Sequence, residues 1–148
     1  IHERLVGSEM CIRDSPYTEE DAENFIKMNM EHEGPAENFA IDIDGKAVGG
    51  VGFVMGSDVE RISAEIGYWL GEQYWGRGIM TSAVQEAVKY AFETLPVIRI
   101  YAGVFEYNIP SMKVLEKAGF KKEAILRKAV IKNGKILDFH YYALLKEE

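Results

Sequence analysis

Gln73-Tyr74-Trp75-Gly76-Arg77-Gly78-Ile79 separates two segments of different period. Residues 62–70, before it, read as a strand. After it, Ile79, Ala83, Val84, Ala87, Val88, Ala91 and Phe92 fall on one face of a helix reaching about Glu93. The stretch is therefore a strand-to-helix turn. A helix leaves the N–H groups of its first turn without acceptors, and its dipole favours an anion there. Glycines at 76 and 78 remove the side chains that would block close approach, so the turn suits a phosphate or pyrophosphate. It lacks the Gly-Lys-Ser/Thr ending of a nucleotide P-loop and the three-glycine spacing of a dinucleotide fingerprint. Glycine also serves plain tight turns, so the loop by itself leaves a ligand site and a simple connection both open.

Working outward, the chain alternates strands and helices. Upstream, residues 39–43 alternate, Asp44-Gly45 is a type I′ hairpin signal, and residues 47–55 form the partner strand. Ahead of that hairpin, Thr18 with Asp21 reads as a helix start, and Gly34-Pro35 ends the helix after about His32. Downstream, Pro96 stops the helix that follows the loop. Residues 97–105 then read as an apolar strand, expected to be central and buried on both faces. Residues 108–118 make a short helix closed by Gly119, and residues 120–145 make two strands joined by Asn133-Gly134. This order predicts an α/β domain, a mixed sheet with helices on both faces.

Composition narrows the function classes. The chain has 148 residues, 47% hydrophobic and 28% charged, which suits one soluble domain with one core. It holds no apolar run of about 18 residues and no secretory leader pattern, so neither a membrane span nor export is expected. A net charge of −7 argues against a nucleic-acid partner and mildly favours cationic ones, such as amines. Cys11 stands alone, which excludes an internal disulfide and suits a reducing, cytoplasmic setting. His2, His32 and His140 show no metal-ligand spacing, so no metal is expected.

Three ordered motifs make the reading of the loop more specific. Gln73-x-x-Gly76-x-Gly78 resembles the pyrophosphate loop of the GNAT N-acetyltransferases. Ala64-Glu65-Ile66-Gly67-Tyr68-Trp69-Leu70 resembles the strand before that loop in the branch that acetylates ribosomal-protein N-termini, the RimJ/RimL type. Asn108-Ile109-Pro110-Ser111, followed by Val114-Leu115-Glu116-Lys117-Ala118-Gly119-Phe120, resembles the same branch's second cofactor-side motif. The resemblance implies a mostly antiparallel mixed sheet and acetyl-CoA as co-substrate. It also implies a primary amine, on a protein N-terminus or a small molecule, as acceptor.

The resemblance also assigns roles. The N–H groups around Gly76, Arg77, Gly78 and Ile79, beside Gln73, would hold the CoA pyrophosphate. The backbone of Ile66, Tyr68 and Leu70 would pair with the pantetheine arm, and Asn108 would hydrogen-bond that arm or cap its own helix. Glu65 would act as general base, directly or through water, with a paired sheet-face carboxylate as its structural alternative. Ser111, or else Tyr107, would protonate the departing thiolate. Backbone N–H groups of the strand before the loop would polarise the carbonyl. Tyr68, Trp69, Tyr74 and Trp75 would wall the site or pack the core.

The N-terminus departs from the pattern. The resemblance implies a strand and a helix ahead of Pro16, and residues 1–15 carry neither pattern. They are expected to be an atypical segment in place of the missing elements, before a single acetyltransferase domain over residues 16–148. An edge strand left unpaired in this way would suit a homodimer as well as a monomer. A non-catalytic acyl-CoA-binding domain and a purely structural domain remain as rival readings.

Overall fold

The computed structural model describes residues 19–148. The expected cap Thr18, the atypical segment 1–15, His2 and Cys11 lie outside the described residues. The first described helix, α1 (Glu19–Met30), carries Glu19, Glu20 and Asp21 in its first turn, where the helix dipole favours negative charge. The hairpin of β1 (Asn38–Ile43) and β2 (Lys46–Met55) follows. Asp44 and Gly45 both take positive φ, 54° and 81°, as the type I′ signal requires. Next come β3 (Ser63–Leu70), α2 (Ile79–Thr94), β4 (Arg99–Phe105) and α3 (Ile109–Lys117). The final hairpin pairs β5 (Lys121–Lys132) with β6 (Lys135–Leu145) across Asn133 and Gly134, again both at positive φ.

The described strands form one six-stranded sheet in the order β1-β2-β3-β4-β6-β5, antiparallel throughout except between β3 and β4. Ala64, Ile66, Tyr68 and Leu70 alternate inward along β3 and meet the buried stripe of α2, which includes Met80, Val84, Ala87, Val88 and Ala91. Met80 completes that stripe although the helical periodicity did not single it out. Helix α3 shares this side: Tyr142 of β6 donates to Glu116 at 3.2 Å. Helix α1 meets the opposite side, where Asn38 donates to Asn29 Oδ1 at 2.8 Å. The next residue, Phe39, packs edge-on against Tyr90 of α2 on the first side. Helices therefore lie on both faces of the sheet.

One expectation needs correction. β4 is not buried on both faces: Ile100, Ala102 and Val104 are buried, whereas Arg99, Tyr101 and Gly103 alternate with them and are half-exposed. Among the described residues, the helices that cover the strand, α2 and α3, lie on one side; on the other, Phe105 alone is buried, against Phe139 and Tyr107.

The feature that positions the site is the short contact between β3 and β4. Their register covers Ser63–Arg99, Ala64–Ile100 and Glu65–Tyr101 and then stops. Ile62 C=O accepts from the N–H groups of Ile98 and Arg99 on the β4 side. Strand alternation thus aims the main-chain groups of Ala64, Ile66, Tyr68 and Leu70 the same way. Beyond Glu65 the two strands part, and Ile66 C=O, both polar groups of Tyr68 and Leu70 N–H face a gap with no strand partner.

Candidate active site

The gap opens onto the glycine loop. Trp75 of that loop donates its indole N–H to Leu70 C=O at 2.7 Å, which fastens the loop to the end of β3. Gly76 and Gly78 sit at φ 75° and 76°, in the left-handed region that glycine enters without penalty. An added Cβ at either would meet no atom within 4 Å, so both line open space. Gly78 is the N-cap of α2 and supplies no side-chain acceptor; the first helical bond is Ser82 N–H to Gly78 C=O. The amides of the first turn therefore point out of the helix toward the open loop. Arg77 is exposed and lays its guanidinium over the Tyr74 ring at 5.5 Å. Gln73 is exposed in the short 3-10 turn Glu72–Tyr74, and Ile79 is half-buried against the core.

Asn108 follows the C-terminal end of β4, as the glycine loop follows that of the parallel strand β3, and its two side-chain atoms differ in their partners. Its Oδ1 accepts from Ser111 N–H at 3.3 Å and caps α3, while its buried Nδ2 has no hydrogen-bond partner among the described residues. A buried amide donor without an acceptor is costly, and a ligand carbonyl would satisfy it.

Ser111 is placed differently from Tyr107. The Ser111 side chain is wholly buried, and its Oγ lies 2.7 Å from the Tyr68 hydroxyl, so the two share a proton between β3 and α3. Burial pushes the Tyr68 hydroxyl well above its ordinary range, so it remains protonated. Tyr107 is 47% exposed and stacks on Phe105, with centroids 5.7 Å apart and planes 4° apart.

Glu65 occupies the opposite side of the sheet from α2, at the point where β3 and β4 part. It is half-buried, and desolvation raises its carboxyl above the usual value. No hydrogen bond or ion pair holds it among the described residues. Tyr101, its register partner on β4, is raised by burial first and by the Glu65 charge next.

Of the four aromatics expected to wall the site or pack the core, Tyr68 lies in the core and Tyr74 and Trp75 pack against it, whereas Trp69 does not. Tyr68 enters the core, Trp69 lies over Gly50 on the far side, Tyr74 supports Arg77, and Trp75 ties the loop. The aromatics that do assemble, of which only Tyr107 was singled out from sequence, are Tyr101, Tyr141, Phe139, Phe105 and Tyr107, a chain of ring contacts that starts at the register partner of Glu65. Alternation in β4 and β6 carried the signal, since Tyr101 and Phe105 share a side with Phe139 and Tyr141.

A loop of free amides, a parted strand pair and an orphan amide donor on one gap make a site for a long amide-bearing anion. The acetyltransferase (GNAT) domain family matches residues 3–121. The chain belongs to the GNAT acetyltransferases. It is 37% identical over 139 residues to the uncharacterized N-acetyltransferase p20 of Bacillus licheniformis, covering 90% of this chain and 78% of that protein. It is 50% identical over 86 residues to an N-acetyltransferase of Bacillus subtilis, YjcK, and there spans about half (48%) of the relative's length. Among solved structures, a GNAT-family acetyltransferase from Bacillus anthracis superposes with a TM-score of 0.80 at 31% identity, over 96% of this chain and 84% of that one. Mycobacterium smegmatis RimJ in complex with CoA-disulfide superposes at 0.69 and 32% identity, over 74% of this chain and 53% of that one. The sheet described above is the fold of these GNAT proteins.

Proposed function

We propose that this GNAT chain transfers the acetyl group of acetyl-CoA to a primary amine by direct attack. The observation that carries the reading is the β3–β4 gap, flanked by the glycine loop that follows β3 and the orphan Asn108 amide that follows β4. The first-turn amides of α2, with Gly76, Arg77 and Gly78, bind the pyrophosphate. The open main-chain groups of Ile66, Tyr68 and Leu70 pair with the amides of the pantetheine arm, and Asn108 Nδ2 donates to one of its carbonyls. The RimJ relative solved with CoA-disulfide supports this cofactor class.

Acetyl-CoA supplies its acyl group as a thioester. Glu65, with its raised pKa, takes a proton from the acceptor ammonium, directly or through a water. The amine nitrogen bonds to the acetyl carbon, the carbonyl is polarised by a free N–H of β3, and the C–S bond breaks. Tyr107 gives its proton to the thiolate, because its exposure admits the sulfur, and recovers one through water from the nitrogen, which sheds its extra proton as the amide forms. Ser111 is wholly buried against Tyr68 and serves to fix β3 to α3.

The test is thiol release from acetyl-CoA with a panel of amines and N-terminal peptides, for the wild type and for Glu65→Gln and Tyr107→Phe. The expected result is turnover that falls about 10²- to 10⁴-fold in Glu65→Gln, with acetyl-CoA affinity retained. Turnover unchanged by both substitutions overturns the assignment. Binding of acetyl-CoA without turnover on any acceptor would favour a non-catalytic acyl-CoA-binding domain.

A further inference from the structure

The side of the sheet opposite α2 carries a feature that the cofactor site does not use. Glu65 of β3 is the register partner of Tyr101 on β4, and the Tyr101 ring lies 6.0 Å from Tyr141 on β6 with planes tilted by 31°. Both tyrosines are half-exposed. Gly67, two residues beyond Glu65 on the same side, is exposed, and an added Cβ there would meet nothing within 4 Å. Phe139 stacks edge-on against Tyr141 at 5.6 Å and lies across Gly103. One side of the sheet thus carries a half-buried carboxylate, two half-exposed tyrosine rings on the neighbouring strands and an open glycine beside them.

A carboxylate beside ring faces is a site for a cation, because the negative face of an aromatic ring attracts positive charge and the carboxylate adds a point charge. The Tyr101 ring already takes one cation: the Arg99 guanidinium sits 5.8 Å from its centroid. The Arg99 charge is itself paired, since both of its terminal nitrogens are bound to the Glu123 carboxylate, at 3.0 and 2.8 Å. Tyr141 has no cation over its ring among the described residues.

We infer that Tyr101 and Tyr141 are positioning residues that hold the acceptor as its ammonium ion against Glu65, so that the chain selects cationic amines flanked by an apolar or planar group. This rests on the acetyl-transfer reading above. Neither tyrosine exchanges a proton in the reaction. Their rings collect the ammonium ion, and Glu65 then removes its proton beside the gap.

The experiment is steady-state acetyl transfer to a cationic primary amine by the wild type, Tyr101→Leu, Tyr141→Leu and the two Phe variants. The Leu variants are expected to raise KM for the amine about tenfold each while KM for acetyl-CoA stays at the wild-type value, which also shows that they fold. The Phe variants, which keep the ring and lose the hydroxyl, should lie within about twofold of wild type. Wild-type turnover with an unchanged amine KM in both Leu variants overturns this inference and leaves the transferase intact. Phe variants as impaired as Leu variants also overturn it, by assigning the effect to the hydroxyl. Acetyl-CoA binding without transfer to any amine removes the transferase reading, and the inference with it.

Discussion

The Tyr68 hydroxyl and Ser111 Oγ lie 2.7 Å apart in the core, joining β3 to α3 across 43 residues of sequence. The Tyr68 hydroxyl also reaches the Ser111 carbonyl, at 3.4 Å, so Tyr68→Phe strips the serine hydroxyl of its side-chain partner while Ser111→Ala leaves the tyrosine a longer bond. Ser111→Ala and Tyr68→Phe should each lower unfolding stability by about 1–3 kcal/mol. The double variant should cost less than the two single costs added together. Urea denaturation of the three variants measures this; strictly additive costs would show that the pair does not interact.

Asn108 does two jobs with two atoms, and a substitution can separate them. Serine caps a helix as well as asparagine does but lacks the amide donor. Asn108→Ser should therefore keep α3 and the unfolding midpoint close to wild type while weakening CoA binding about tenfold, the loss of roughly one hydrogen bond. Asn108→Ala should lose the same affinity and about 1 kcal/mol of stability besides. Comparing affinity with stability in the two variants checks the division.

Burial raises the Glu65 carboxyl above its usual value. The folded chain thus holds this proton more tightly than the unfolded chain does. The linked stabilisation is complete below the usual carboxyl pKa and disappears as pH rises through the raised value. Glu65→Gln removes the charged form, so its melting temperature should gain on wild type as pH rises above the usual carboxyl range. Catalysis shows the complementary trend. Wild-type kcat/KM should climb with pH above the ordinary carboxylate range as Glu65 loses its proton, and that limb should vanish in Glu65→Gln.

Gly78 combines a positive φ with open space. A valine there meets no clash in the free protein but is strained in the left-handed region, at about 1–2 kcal/mol. It also places methyl groups where a phosphate would approach. Gly78→Val should keep the helical circular dichroism of α2 and lose at least tenfold in CoA affinity.

Most of the fold was legible because its punctuation is local. Asp44-Gly45, Asn133-Gly134 and Gly119 each need a backbone conformation that few residues tolerate, and each marks a real turn or helix end. The glycine loop was legible as a strand-to-helix turn for the same reason. The rest depends on register, which sequence does not display. Parting of β3 from β4 after Glu65 decides which main-chain groups are open, and no residue type signals it. The burial of Ser111 follows from a tyrosine 43 residues away, and the ring chain from Tyr101 to Tyr107 depends on the pairing of β4 with β6. The expected exposure of both faces of β4 to packing failed because α2 and α3 lie on one side.

The most direct test of the central claim is isothermal titration of the full chain with acetyl-CoA, in parallel with Gly78→Val. The β3–β4 gap and its glycine loop predict one-to-one binding in the micromolar range, about −8 kcal/mol, and at least tenfold weaker binding by the folded variant. A folded wild-type chain that takes up no acetyl-CoA would contradict the account, and equal affinity in the two proteins would contradict the assignment of the loop.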